Sequence, residues 1–177
     1  MDTELNMDDR RCAEQLREWV EQHYALLYRY AFRLSGSAAD AEDLTQQAFL
    51  TAQRKMTQLR EPSHAKAWLC TIIRNSYLKS FRNKNAGNEV SLSNVAEPAG
   101  DIPDNPVLDT EELQTVLNEL PEDFRTPLIL FYFEDFSYKQ IAEQMDVPLG
   151  TAMSRLARAK EYLRRRLTTE QPVATKP

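Results

Sequence analysis

Apolar residues recur at intervals of three and four along most of this chain, a spacing that places them on one face of an α-helix. The first such segment runs from about Cys12 to Ser35 and is followed by Gly36, a residue suited to the left-handed position that ends a helix. A second segment runs from Ser37 to about Met56, and a third from about Ser63 to Lys84. The first half of the chain is therefore predicted to hold three long helices. The inward-facing residues of the second are predicted to be Leu44, Ala48 and either Leu50 or Thr51.

The second half of the chain resumes this spacing after a stretch that lacks it. Residues 85–110 are rich in Asn, Pro, Ser and acids and show no periodicity, so a flexible acidic linker is predicted there. Short helices are predicted over 111–120 and 122–135, on either side of Pro121. The second of these is expected to turn four residues inward: Phe124, Leu128, Phe131 and Tyr132.

The stretch from Phe136 to Leu167 predicts two further helices joined by a short turn. Ser137 with Gln140 three residues later is the pattern of a capping box, which begins a helix. Asp146 lies where the chain must turn and tolerates a left-handed backbone better than most residues. Pro148 suits the first turn of the next helix, because the amide it lacks has no partner there.

The last of these helices has an apolar seam on one side and a polar, basic side opposite. This arrangement is typical of a helix-turn-helix whose second helix enters the major groove of DNA, although an ordinary helical hairpin with a solvated basic face has the same pattern. The seam is Leu149, Ala152, Leu156, Ala159, Leu163 and Leu167. The polar side contains Thr151, Ser154, Arg155, Arg158 and Arg165.

Composition narrows the class of protein. The chain has only four Gly and many helix formers, so an all-α fold is expected. It contains no run of eighteen apolar residues, so no membrane insertion is expected. Its two cysteines, Cys12 and Cys70, are far apart and form no metal-binding motif, which predicts a reduced cytoplasmic protein without a metal site. With no phosphate-binding glycine loop either, no catalytic residue and no cofactor is predicted, and the protein is expected not to be an enzyme.

The net charge of −5 is unevenly distributed along the chain. Residues 54–84 contain eight Lys or Arg and one acid, and residues 137–167 contain seven basic and three acidic residues. Residues 86–112 contain seven acids and no base. Because local charge attracts phosphate, two basic segments separated by an acidic one are compatible with nucleic-acid binding despite the acidic total.

Three motifs in this order resemble the extracytoplasmic-function (ECF) sigma factors, the two-domain class of the bacterial sigma-70 family. DAEDLTQQAFLTAQRK resembles the family's polymerase-docking helix, and AWLCTIIRN resembles its signature of tryptophan, apolar pair and Arg-Asn. The segment from Leu120 to Lys160 is similar to the family's fourth region. The resemblance spans about Tyr24 to Leu167 and implies a region 2 domain over 1–84, the linker over 85–110, a region 4 helix-turn-helix domain over 111–170, and a tail over 171–177.

The resemblance also implies roles for individual residues. Core RNA polymerase would be bound by Asp40, Glu42, Asp43, Gln46 and Gln47. The minus-ten promoter element, opened to a single strand, would be bound by Arg60, His64, Lys66, Trp68, Arg74, Asn75, Lys79 and Arg82. The duplex minus-thirty-five element would be read by Thr151, Met153, Ser154, Arg155 and Arg158. An anti-sigma factor is a further implied partner.

Two of these assignments have alternatives in the residues themselves. The acids that begin the second helix also complement its dipole, and Trp68 is equally explained as a core residue. Three positions depart from the family's usual pattern: Lys79 replaces an aspartate, Asp146 replaces a turn glycine, and Met153 replaces a Lys or Arg.

The function therefore expected is that of a sigma factor, which directs polymerase to promoters and starts transcription. Two other classes remain open at this point. A helix-turn-helix transcriptional regulator acting without polymerase would bind duplex DNA alone, and a helical protein-interaction module would show no salt-dependent affinity for DNA.

Overall fold

The structure, a computed structural model, describes residues 7–59, 61–84 and 110–169. All regular secondary structure in these ranges is helical. The chain divides into two compact units, Met1–Asn88 and Glu89–Pro177. The all-α, two-domain architecture is thereby confirmed, while the predicted acidic linker lies outside the described residues.

The N-terminal unit is a three-helix bundle in which each helix packs against the other two. Between its second and third helices, the described residues form two short 3-10 turns. The helices are α1 (Met7–Ser35), α2 (Ala38–Lys55) and α3 (Ala65–Lys84), and the turns are Met56–Gln58 and Pro62–His64.

The boundaries of α1 and α2 follow from local sequence. Gly36 ends α1 with φ of 70° and donates its amide to the Phe32 carbonyl over 2.7 Å, as expected of a left-handed cap. The side chain of Ser37 then accepts a hydrogen bond from the amide of Asp40, which satisfies one free amide at the start of α2. The N-terminal end of α1 was predicted too late, since the helix already includes Met7.

The core of the N-terminal unit lies along the seam that joins the three helices. Its fully buried side chains include Leu27 and Leu34 from α1 and Leu69 and Ile73 from α3. From α2 the core receives Ala41, Leu44, Thr45, Ala48 and Ala52. Leu50, one of the two alternatives predicted to face inward, is instead 53% exposed.

Over residues 110–169 the C-terminal unit has four helices, of which the last three pack against one another. Leu128, Ile129, Ile141 and Leu156 meet in its core, each at most 1% exposed. The helices are α4 (Thr110–Glu119), α5 (Glu122–Tyr132), α6 (Tyr138–Met145) and α7 (Leu149–Thr169).

A buried arginine fastens α4 to α5. The Arg125 guanidinium donates to the Leu120 carbonyl over 2.8 and 3.1 Å and to the Asn118 carbonyl over 3.1 Å. These acceptors lie at the C-terminal end of α4, where carbonyls lack helix partners and the helix dipole favours a cation. Arg125 therefore stabilises the α4–α5 corner from inside.

The structure corrects the prediction for α5. The helix ends at Tyr132 rather than Asp135, because Asp135 takes a left-handed conformation with φ of 57° and the chain reverses there. The buried Phe136 donates its amide to the Leu130 carbonyl over 2.9 Å and closes this turn. Tyr132, expected to face inward, is 40% exposed.

Candidate polymerase and nucleic-acid interfaces

The turn between α6 and α7 has the predicted helix-turn-helix geometry. Ser137 and Gln140 form both hydrogen bonds of a capping box at the start of α6. Asp146 adopts φ of 53° and donates to the Glu143 carbonyl, while Val147 donates to the Ala142 carbonyl over 3.1 Å. This pair of bonds is a Schellman motif, which ends α6 and redirects the chain into α7.

The first half of α7 separates a buried side from an exposed one. Ala152, Leu156 and Ala159 are at most 1% exposed and hold the helix against α5 and α6. Ser154 and Arg158 are exposed one turn apart on the opposite side, as a helix that reads DNA requires. Of the other residues predicted to contact the minus-thirty-five element, Thr151 and Arg155 are half-buried and Met153 is exposed. The seam itself is shorter than predicted, because Leu149 at the helix start is 49% exposed.

Arg155 is held by a second helix. Its Nη1 lies 3.0 Å from Oδ1 of Asp123 in the first turn of α5, and only 25% of its side chain is exposed. Because a carboxylate fixes the orientation of a guanidinium, Asp123 limits the directions in which Arg155 extends. Sequence inspection missed this ion pair, since the two residues belong to different predicted helices.

Most basic residues in the last turns of α7 are also engaged within the unit. Glu161 accepts from Arg165 over 2.7 Å and from Arg164 over 2.6 Å, and these bonds lower the pKa of its carboxyl group. Glu119 of α4 accepts from Arg166 and, over 2.7 Å, from the Tyr162 hydroxyl. These bonds lower the Glu119 pKa to about 2. The charge available to DNA on this side of α7 is therefore smaller than the residue count indicates.

Lys160, the one lysine in the sequence of α7, lies over an aromatic cluster. Lys160 Nζ lies 4.6 Å from the ring centre of Phe131 and 5.1 Å from that of Tyr132, a cation–π arrangement. Tyr138 packs on Phe131 with ring centres 5.1 Å apart. Lys160 therefore stabilises the junction of α5, α6 and α7.

On α3, three of the residues predicted to contact the minus-ten element share one side of the helix. Trp68, Asn75 and Lys79 follow one another at intervals of seven and four residues, which a 3.6-residue turn aligns along one stripe. Asn75 and Lys79 are exposed, and Trp68 is half-buried. Both readings of Trp68 find support: its ring packs edge-on against the buried Trp19, with centroids 5.9 Å apart, and part of it still reaches the surface.

Three other predicted minus-ten residues lie away from this stripe. Lys66 is half-buried at the start of α3. The pKa of His23 is lowered, mainly by burial of the His23 side chain and also by the positive charge of Lys66. Arg74 is half-buried on a different side of α3. His64 is exposed in the turn before α3, with Nε2 3.8 Å from a Glu61 carboxylate oxygen. Arg60 and the side chain of Arg82 lie outside the described residues.

The residues predicted to bind polymerase lie on the exposed side of α2. Glu42, Asp43, Gln46 and Gln47 are exposed, whereas Asp40 is half-buried beside the helix cap. Leu50 extends this surface by one turn, a feature that the sequence pattern did not assign. A partner that covered this leucine would gain free energy by removing its side chain from water. The sequence does indicate the exposure of Leu50, because position 50 falls outside the spacing at which the buried alanines of α2 recur.

Two negative observations apply to the described ranges. No group of three His, Cys, Asp or Glu side chains there is placed to hold a metal ion. None of the helices in these ranges is both long and apolar enough to cross a bilayer.

Comparison with known proteins places both units in one family. The sigma-70 region 2 family matches residues 19–86, and the sigma-70 region 4 family matches residues 110–163. Together these matches cover more than half of the chain.

Relatives at the level of the whole chain have the same description. The chain is 36% identical to "ECF RNA polymerase sigma factor SigE" of Mycolicibacterium smegmatis over 83% of its length, and the alignment spans 59% of that protein. It is 33% identical to "ECF RNA polymerase sigma factor SigL" of Mycobacterium tuberculosis, with 86% of this chain and 88% of SigL covered. The sigma factor RpoE of Bartonella quintana, solved in complex with the anti-sigma factor NepR, superposes with a TM-score of 0.72 at 28% identity, covering 89% of this chain and 99% of RpoE.

Three findings agree on the family of this chain. The two family matches follow each other in the expected order, relatives share more than 30% identity with the chain, and the helix-turn-helix has the expected geometry. The chain belongs to the extracytoplasmic-function sigma factors, the two-domain class of bacterial transcription initiation factors in the sigma-70 family.

Proposed function

We propose that the two units of this sigma factor divide the steps of promoter-specific initiation between them. The exposed side of α2 docks on core RNA polymerase, the α3 stripe binds the opened minus-ten strand, and the exposed side of α7 reads the minus-thirty-five duplex. The observation that carries this proposal is the α7 arrangement: Ser154 and Arg158 stand exposed opposite the buried part of the seam, directly after a helix-turn-helix corner.

Docking through α2 rests on its exposed Glu42, Asp43, Gln46 and Gln47, together with the anchor Leu50. Asp40 contributes from the helix start, where it also complements the helix dipole. A basic, helical surface on polymerase is the complementary partner for such a face.

Binding of the minus-ten strand rests on the alignment of an aromatic ring with amide and basic groups along α3. Bases of a single strand stack on aromatic side chains while Lys and Arg contact phosphates, so Trp68 and Lys79 have the chemistry required. Arg60, His64, Lys66, Arg74, Asn75 and Arg82 complete the proposed contact set. Opening the duplex and holding a flipped base costs a few kcal/mol, which these contacts must offset.

Reading of the minus-thirty-five duplex involves Thr151, Met153, Ser154, Arg155 and Arg158. Arg158 is exposed, whereas Arg155 approaches DNA from its ion pair with Asp123. We place the domain limits at about residues 84 and 110, the linker between them, and the protein in the cytoplasm, where polymerase and chromosome lie. The chemistry of RNA synthesis belongs to polymerase, and no reaction is assigned to this chain.

An anti-sigma factor is a further proposed partner. The support is the likeness to the Bartonella RpoE that is bound to NepR, which extends over 89% of this chain. Such a partner competes with polymerase or DNA for the same exposed sides of α2, α3 or α7.

The test of this division is a pair of matched charge reversals. Asp43→Lys alters the α2 surface and is expected to abolish co-elution with core polymerase, while Glu14→Lys reverses an exposed acid on α1 and leaves co-elution intact. Equal co-elution of the two variants contradicts docking through α2. If both lose binding, the contact depends on net charge rather than on this surface.

A further inference from the structure

The N-terminal tip of α7 is apolar where a DNA-reading helix enters the groove. Leu149 is 49% exposed and Met153, one turn later, is 47% exposed. They lie beside Gly150, around whose Cα a Cβ would meet nothing within 4 Å, so the helix backbone is open to close approach there. Exposed apolar side chains on a helix favour the binding of a ligand that removes them from water.

The chemistry of Met153 excludes most base contacts. A thioether has no N–H or O–H to donate to guanine and is only a weak acceptor, and it does not pair with phosphate. In the major groove, the thymine C5-methyl is the apolar group that a base edge presents. Methionine is flexible and polarisable, so it adapts to a methyl group at several approach angles.

The position of Met153 brings it to base edges rather than to the backbone. The N-terminal residues of a recognition helix contact bases, and Met153 is followed directly by the exposed Ser154. We infer that Met153, with Leu149 beside it, reads the methyl group of one thymine in the minus-thirty-five element. This inference rests on the proposed function and adds a base preference to it.

The test removes only that methyl group. A promoter is first selected from a randomised library by transcription with core polymerase and the full-length chain. Each thymine of its minus-thirty-five element is then replaced by deoxyuridine, which has the same hydrogen-bonding groups. With the wild-type chain, one replacement is expected to weaken holoenzyme binding about fourfold, the value for one buried methyl-sized group. The other replacements serve as internal controls.

The protein variants assign the effect to Met153. Met153→Ala is expected to bind the thymine and deoxyuridine promoters equally, because it lacks the reading group, and its exposure predicts normal folding. In the wild type, 5-methylcytosine at the same position is expected to bind several-fold better than cytosine.

The outcomes separate the inference from the function on which it rests. A selected minus-thirty-five element without thymine, equal binding of the wild type to every deoxyuridine promoter, or a deoxyuridine effect that persists in Met153→Ala overturns the contact of Met153 with thymine while initiation itself still stands. Failure of the chain to support any initiation with core polymerase overturns both.

Discussion

Arg155 shows how one contact changes the meaning of a predicted DNA-reading residue. Its ion pair with Asp123 is compatible with a guanidinium aimed at a base and also with one that only joins α5 to α7. If Arg155 contacts a base, Arg155→Ala is expected to lower promoter affinity by ~1–3 kcal/mol. Asp123→Ala leaves the arginine present and removes a negative charge near DNA, so affinity should stay equal or rise. Binding titrations of the two holoenzymes measure this, and equal losses in both variants would assign Arg155 to the fold instead.

Leu50 is the second residue whose role depends on exposure. Replacing it by Ala should change folding stability by less than about 0.5 kcal/mol, because the side chain is largely in water. Affinity for core polymerase should fall by roughly 1 kcal/mol, the value expected from the apolar area that docking buries. Leu149→Ala is the matched control, since Leu149 has similar exposure in the other unit. Unchanged affinity of the Leu50 variant in a competition titration contradicts its role as an anchor.

At the scale of the element, a charged contact fixes α4 to α7. Arg166 and Tyr162 hold the Glu119 pKa at about 2, below the ordinary value of 4.5. A depressed folded-state pKa stabilises the fold above pH 4.5, and this contribution is lost as the pH falls from 4.5 toward 2. Because Glu119 is partly exposed, we expect roughly 0.5–1 kcal/mol. Thermal unfolding of Glu119→Gln should therefore differ from the wild type at pH 6 and converge with it as the pH approaches about 2. Glu143→Gln, at an exposed acid of α6, is the matched control for the loss of one negative charge.

The α3 stripe makes a separate prediction. Lys79→Ala should weaken open promoter complexes by roughly fivefold and reduce the salt slope by ~0.7, the value for one phosphate of a single strand. Association with core polymerase should be unaffected. Arg10→Ala, at an exposed arginine of α1, is the control. An unchanged salt slope in a filter-binding series would remove Lys79 from the strand-binding surface.

The sequence predicted those features that depend on local chemistry. Gly36, the capping box at Ser137 and the left-handed Asp146 all mark helix ends through bonds to residues within a few positions, and all were confirmed. The end of α5 was predicted wrongly, because a second left-handed aspartate, Asp135, was not distinguished from a helical one.

Features that depend on distant partners were not predictable. Arg166 and its acceptor Glu119 are 47 positions apart, so spacing gave no sign that this arginine is engaged. Leu149 has the spacing of the apolar seam, yet α5 and α6 leave it exposed at the helix start. The assignments to polymerase and promoter came from family resemblance, and they stay predictions residue by residue.

For the molecule as a whole, the distribution of charge among segments is more informative than the net charge. A chain with net charge −5 carries half of its 22 basic residues in α3 and α7, while residues 86–112 between them contain seven acids and no base. Local fields control phosphate binding, so two weak DNA contacts joined in one chain gain strength when polymerase holds them together. The isolated protein is therefore expected to bind promoter duplex weakly, and the holoenzyme to bind it strongly.

The most direct test of this account is run-off transcription by core polymerase and the purified full-length chain on a library with a randomised promoter region. The account predicts transcripts whose start sites lie at a fixed distance downstream of two enriched elements with constant spacing. Tight binding to core polymerase without any enriched element, or start sites distributed as with core polymerase alone, contradicts it.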